Sequence, residues 1–331
     1  MHWTMKEVEL PLKFDWSISR NTSSVKRNFI IEVQSGKMSG LGEIAFNVRY
    51  DESREQILQA FEEFKSEVPQ DLNGVEALIY FLDSKEYPQS FKFGVESAFL
   101  HYLATISGKS VQSLLGINTV TSVRTSFSIP IMEPGKIAQF IKEYELQRFS
   151  TIKVKIGKDG ATDLLIEVLK NTSVPLRVDA NEAFQSTSDV LKFINSIPHD
   201  RIEFLEQPLH ASNHQEMLEL FKVSPLMLIA DESVTGQEIT EYYKERFHGV
   251  NVKLMKAGGY FRAVKQLRQA KLLGLKTMLG CMVETSLGIS SALNIAGGVD
   301  YCDLDGFLFL KDDPFRILGE ENGKVFYSYL V

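Results

Sequence analysis

From about residue 120 onward one unit repeats along the chain: a short run of β-branched or large apolar residues, a charged residue or glycine at its end, then ten or more residues at helical spacing. The runs are 151–156, 176–178, 202–205, 226–229, 250–252 and 276–279, and the units end on Lys155, Asp179, Glu206, Asp231, Lys253, Gly280 and Asp303. Successive ends lie 22 to 27 residues apart. A strand, a helix and two short loops need roughly 20–30 residues, so the spacing predicts an α/β fold of parallel strands with a helix after each. Leu165, Val168 and Leu169 carry the helical spacing in one unit, and Val190, Leu191 and Ile194 carry it in the next, after a Ser186 suited to cap the helix. An open, doubly wound sheet shares this periodicity. Eight units in sequence favour a closed barrel.

The first 118 residues lack that period. Segments 5–14 and 26–34 read as strands, the second rich in Val25, Phe29, Ile30, Ile31 and Val33 and closed by Ser35-Gly36. Amphipathic helices follow near 53–67 and 88–107, which together suggest an α+β module in front of the barrel. With 331 residues, 44% of them hydrophobic, the chain can fill two cores. A net charge of −7 and the lack of any long Lys/Arg block argue against a nucleic-acid partner. Cys281 and Cys302 are too few and too far apart for a disulfide framework, which fits a reducing, cytoplasmic setting. Residues 1–15 show no signal-peptide pattern, and no apolar run reaches the roughly 18 residues of a membrane span. No membrane partner is expected.

In a parallel barrel every strand delivers its C-terminal residue to one face. Here that face receives Lys153, Lys155, Asp179, Glu206, Asp231, Lys253, Asp303 and Asp305. Three carboxylates from three successive strands, Asp179, Glu206 and Asp231, repel one another unless a cation neutralises them. Oxygen-only ligands with no His or Cys favour Mg²⁺, or Mn²⁺, over zinc. Lys153 and Lys155 alternate with Val154, so both point to one side of their strand. Lys253 lies on the sixth strand, nearly opposite the second in an eight-stranded barrel, which makes a pair of facing amines. A neighbouring ammonium and a metal ion would both bring a lysine's pKa down toward a base's working range. Asp303 and Asp305, at the end of the last strand, suit a cationic group.

Six segments carry a resemblance in order: Lys153-Val-Lys155, Asp179-Ala-Asn181, Glu206-Gln-Pro208, Asp231-Glu-Ser233, Asn251-Val-Lys253-Leu-Met-Lys256-Ala-Gly-Gly259 and Asp303-Leu-Asp305-Gly306. The set resembles the enolase superfamily, within it the muconate-lactonizing-enzyme subgroup, and most closely the dipeptide epimerases. The resemblance implies a modified TIM barrel, (β/α)7β, over residues 119–307. It also implies an N-terminal α+β capping domain over residues 1–118, completed by 308–331. It implies further that Asp179, Glu206 and Asp231 bind Mg²⁺ and that Lys155 and Lys253 exchange an α-proton on opposite faces of the substrate. Lys153 would help hold the substrate carboxylate, and Asp303 and Asp305 its α-ammonium. Arg20, in loop 14–24, resembles the arginine that meets the distal carboxylate in Ala-Glu epimerases, so L-Ala-D/L-Glu is the expected substrate. The expected partner is thus a small dipeptide, and a homo-oligomer is compatible with the chain.

Two departures bear on that expectation. The family's Gln-Gly-aromatic after Asp179-Ala-Asn181 is here Glu182-Ala183-Phe184, an extra acid placed near the metal ligands. Segment 279–284 has no histidine, which argues against a His/Asp base of the mandelate racemase kind. Lys256 and Glu232 resemble family positions without an assigned role. Muconate cycloisomerase and o-succinylbenzoate synthase substrates carry no ammonium, so Asp303 and Asp305 argue against such enzymes, which stand as the alternative reading beside a dipeptide epimerase of other side-chain preference. A catalytically silent binding protein on this fold would have lost a metal carboxylate or a lysine, and none is missing.

Overall fold

The computed structural model describes residues 1–19 and 21–328. Strands β1 (His2–Ser17) and β2 (Thr22–Ser35) form a long antiparallel pair, and β3 (Met38–Ile44) pairs with the free edge of β2. Phe29, Ile31 and Val33 alternate onto the buried face of β2. Helix Gln89–Ser107 crosses this sheet, and helices Arg54–Glu67 and Val75–Asp83 pack against it in turn. Ser53 starts the first of these with a reciprocal cap: Gln56 N donates to Ser53 Oγ and Ser53 N donates to Gln56 Oε1. Gly40 and Gly42 let the long helix lie directly on β3. A side chain at either position would meet helix backbone, at Ala98 and Tyr102 for Gly40 and at Gly94 and Ala98 for Gly42.

After β4 (Ser122–Arg124) come eight parallel strands in consecutive order. They are β5 (Phe127–Ile129), β6 (Ile152–Lys155), β7 (Leu176–Asp179), β8 (Ile202–Glu206), β9 (Leu228–Ala230), β10 (Gly249–Val252), β11 (Lys276–Gly280) and β12 (Tyr301–Asp303). Seven of them are followed by a helix on the outside, such as Thr187–Asn195, capped by Ser186 Oγ accepting from Asp189 N, and Tyr260–Leu272. Among the described residues no α-helix follows β12. The barrel is therefore of the (β/α)7β kind, with almost wholly buried strands that read as short apolar runs because both faces are covered.

The ladder does not continue from β12 to β5. Among the described residues five hydrogen bonds close that seam: Ser126 N to Cys302 O (3.3 Å), Leu304 N to Thr125 Oγ1 (2.7 Å), Ser126 Oγ to Asp303 Oδ1 (2.7 Å), Ser128 Oγ to Asp303 Oδ1 (3.4 Å) and Ser128 N to Asp305 Oδ2 (2.6 Å). Beyond it the chain touches β1, where Lys311 N donates to Pro11 O and Leu12 bridges Leu310. It then forms a hairpin, β13 (Leu318–Glu321) and β14 (Lys324–Tyr327), which pairs with β4. Among the described residues no helix is long and apolar enough to cross a membrane.

Several elements escape the sequence pattern, among them β3, β4 and the hairpin β13–β14. Strand β5 spans three residues beside the polar Thr125, Ser126 and Ser128, too short to show a period, and helix Val75–Asp83 begins at Gly74 with no side-chain cap.

The close sheet–helix contact gives a stability test. Gly42→Ala forces the helix backbone away from β3 and should cost about 1–3 kcal/mol, read as a lower urea midpoint at unchanged m-value.

Candidate active site

Backbone register sets the acids side by side. Lys155 pairs with Asp179 across β6 and β7, and Asp179 with Glu206 across β7 and β8; Asp231 follows immediately after β9. Asp179, Glu206 and Asp231 are each at most 1% exposed, and each contributes an oxygen to a group whose members all lie within 4.8 Å of one another. Lys153 Nζ stands among the acids, 2.8 Å from Asp303 Oδ2, 2.9 Å from Glu206 Oε2 and 3.1 Å from Asp179 Oδ2. Lys155 Nζ donates to Asp179 Oδ2 (2.8 Å) and Asn181 Oδ1 (3.1 Å), and Lys253 Nζ donates to Asp231 Oδ2 (2.8 Å). The structure thus brings together the three acids, the three lysines and Asp303.

Asp305 joins them by a different route from strand alternation. β12 ends at Asp303, and Asp305 sits in the turn beyond with helical backbone angles. Both carboxylates still converge on Ser128: its Oγ donates to Asp303 Oδ1 (3.4 Å) and its N to Asp305 Oδ2. Arg20 lies outside the described residues.

Burial and the neighbouring charges together set the ionisation of most of these groups. Burial alone would lower the Lys153 pKa, but Asp179, Asp303 and Glu206 outweigh it and hold the ammonium well above the ordinary lysine value. Burial would raise Asp179 and Asp231, yet Lys153 and Lys155 keep the first below the usual carboxylate range, and Lys253 and Lys256 keep the second well below it. Glu206 goes the other way. Burial and then the Asp179 charge push it up to about 8, and Lys153 offsets this only in part. Burial and the neighbouring Asp303 likewise raise Asp305 to about 8, whereas Lys153 overcomes burial at Asp303 and lowers it. Lys253 differs from the sequence expectation of a depressed lysine. Burial lowers it, but Asp231 and Glu206 outweigh both burial and the neighbouring Lys153, so it is held above the ordinary value.

Residues with no role assigned from the sequence hold the set in place. Asn251 Nδ2 donates to Glu206 Oε1 (2.8 Å), and Gln207 Oε1 accepts from Asp231 N (3.0 Å) and Ser233 N (3.1 Å), tying two strand ends together. Lys256 Nζ donates to Asp231 Oδ1 (2.5 Å) and to the Asp231 carbonyl, and Asn181 Nδ2 donates to Glu232 Oε1 (3.1 Å). Glu182 accepts from Arg49 Nε (2.7 Å) and Nη2 (2.5 Å) and from Ala211 N (2.8 Å). From the N-terminal sheet, the Trp16 ring lies 5.6 Å from Lys155 Nζ and stacks on Phe309.

A second buried acid pair joins that sheet to the barrel. Glu43, on β3, accepts from Asn28 Nδ2 (2.8 Å), Thr285 N (3.0 Å), Thr285 Oγ1 (2.6 Å) and Gly288 N (3.0 Å), at the start of helix Ser286–Ile295. Glu284 lies beside it, and a Cβ on Gly288 would touch both carboxyl groups. Burial and the Glu43 charge raise Glu284 to about 8.

Comparison with known proteins agrees with this architecture. The family model "Enolase C-terminal domain-like" matches residues 136–311. An L-Ala-D/L-amino acid epimerase of Flavobacterium johnsoniae is 31% identical over 100% of this chain and 98% of its own length. An L-Ala-D/L-Glu epimerase of Bacteroides thetaiotaomicron is 28% identical over 98% of this chain and 85% of its own. Among solved structures, an enolase family member from Agrobacterium tumefaciens with homology to dipeptide epimerases, bound to sodium and L-Ala-L-Glu, superposes with a TM-score of 0.88 at 26% identity, over 98% of this chain and 97% of that one.

The Glu284 shift has a measurable consequence. Between the ordinary value of 4.5 and about 8 the folded protein keeps a proton that the unfolded chain releases, so this group's contribution to stability is lost as pH rises through that window. Without added metal, the unfolding free energy should fall from pH 5 to pH 8. Glu284→Gln should make that slope shallower by about one proton, and an unchanged slope would count against the assignment.

Proposed function

The chain belongs to the enolase superfamily, among its dipeptide epimerases, and is an isomerase; on that footing we propose that it inverts the α-carbon of the C-terminal residue of a dipeptide by Mg²⁺-dependent 1,1-proton transfer, with L-Ala-D/L-Glu as substrate. One observation carries the reading. The two amines are hydrogen-bonded to the outer members of the acid triad, Lys155 to Asp179 and Lys253 to Asp231, so the triad has a proton carrier on each flank.

The donor set fits a hard divalent cation: three buried carboxylates, oxygen only, with Glu206 Oε2 buried and accepting no hydrogen bond although Lys153 is near. Asp179, Glu206 and Asp231 would hold the ion, and when bound it would supply Lewis-acid stabilisation of the charge that develops on the substrate carboxylate. The protein's own groups do the rest. Lys153, kept protonated by its acids, donates toward the same carboxylate. One flanking lysine removes the α-proton and the other delivers a proton to the opposite face. For this the acting lysine must be neutral, and Asp231 holds Lys253 protonated only while its oxygens are free to pair with it. Asp303 and Asp305 receive the dipeptide's ammonium, which fixes the N-terminal residue and orients the α-carbon between the amines. A cycloisomerase substrate offers this acid pair no cation.

Incubation of a dipeptide library with enzyme and Mg²⁺ in D2O tests the reading. The expected result is a gain of one mass unit at the C-terminal residue's α-carbon, with inversion, lost on metal removal. Lys155→Ala and Lys253→Ala should each slow epimerisation by about 100-fold or more, and no exchange with any dipeptide would sink the proposal. Side-chain preference rests on Arg20: Arg20→Ala should raise KM for L-Ala-L-Glu about tenfold or more and leave L-Ala-L-Leu unaffected, whereas equal effects on both would remove the Glu assignment.

A further inference from the structure

Gly280 closes β11, one rung beyond the Leu279–Val252 pair and thus beside Lys253. Its φ lies outside the left-handed region, so backbone conformation does not require a glycine there. Space does. A Cβ at 280 would lie 2.6 Å from Asn251 Oδ1, 2.9 Å from Asn251 Nδ2 and 2.9 Å from Lys253 Cε. Neither side chain is free to step aside, because Asn251 is held by Glu206 (2.8 Å) and Lys253 by Asp231 (2.8 Å), all of them buried. Lys155 stands on β6 at the far side of the barrel and makes no such contact with Gly280.

We propose that Gly280 is a positioning residue for Lys253: the side chain it lacks is the space through which the lysine stem reaches the barrel mouth, and it governs proton transfer on the Lys253 face of the substrate. The inference rests on the two-lysine reading above. Displacing the Lys253 amine by a fraction of an ångström to about 1 Å costs about 100-fold in the step it performs, while the Lys155 step keeps its geometry.

The experiment is Gly280→Ala, followed separately from each epimer of the dipeptide in D2O. From the epimer whose α-proton faces Lys155, exchange should continue at near wild-type rate, now without inversion. From the other epimer, both exchange and inversion should fall about 100-fold or more. Equal loss from both epimers, including loss through misfolding seen by far-UV circular dichroism, overturns the proposal, because the effect would then run through Asn251 and Glu206 or through the fold and not through Lys253. Unchanged rates from both epimers overturn it as well. In an Asn251→Ala, Lys253→Ala background, where both side chains that a Cβ at 280 would meet are cut back, Gly280→Ala should cost nothing further on the Lys155 face, and an added loss there would count against it. Failure of the wild type to exchange either epimer would instead refute the two-lysine reading itself.

Discussion

Charge balance among buried groups is the constraint on which this molecule depends. Four lysine amines and five carboxyl groups meet at the mouth of one barrel, nearly all of them buried. A buried ion network of this size is poor evidence for stability, since well-packed apolar side chains of similar volume would often do as well or better. Its presence therefore points to chemistry. The strands are short because they need only carry each charged group to the mouth, and Asn251, Gln207 and Lys256 fix the orientation of those groups.

The N-terminal sheet is part of that balance and more than a cover. Trp16 places an aromatic face near Lys155, and Glu43 reaches across to donors at the N-terminal end of a barrel helix, where a negative charge is favoured. Arg49 meets Glu182, the residue that departs from the family pattern, so this acid also bridges the sheet's flank and the barrel.

Much of this was legible in the sequence because period and chemistry coincide. The interval between Lys155, Asp179, Glu206, Asp231 and Lys253 marks the strands, and the same residues carry the site, so one pattern revealed both. Where the two separate, legibility ends. Strand β5 has no charged terminus and only three residues. The contacts of Trp16 and Glu43 depend on how the sheet docks, and no local spacing encodes that. The Lys253 pKa turned on which charges lie nearest: the position of the lysine was readable, but the excess of carboxylates around it was not. Asp305 lies beside Asp303 on Ser128, brought there by a turn where alternation on a strand was expected.

The seam between β12 and β5 has a consequence for what the barrel can tolerate. A sheet edge left unpaired invites another strand, and here Asp303 and Asp305 occupy that edge with their own side chains. The groups proposed to read a substrate's charge are therefore also the fastening of the cylinder. Any drift in ligand preference at these positions must keep the cylinder shut, so the end of the last strand is less free to vary than its place at an open mouth would suggest.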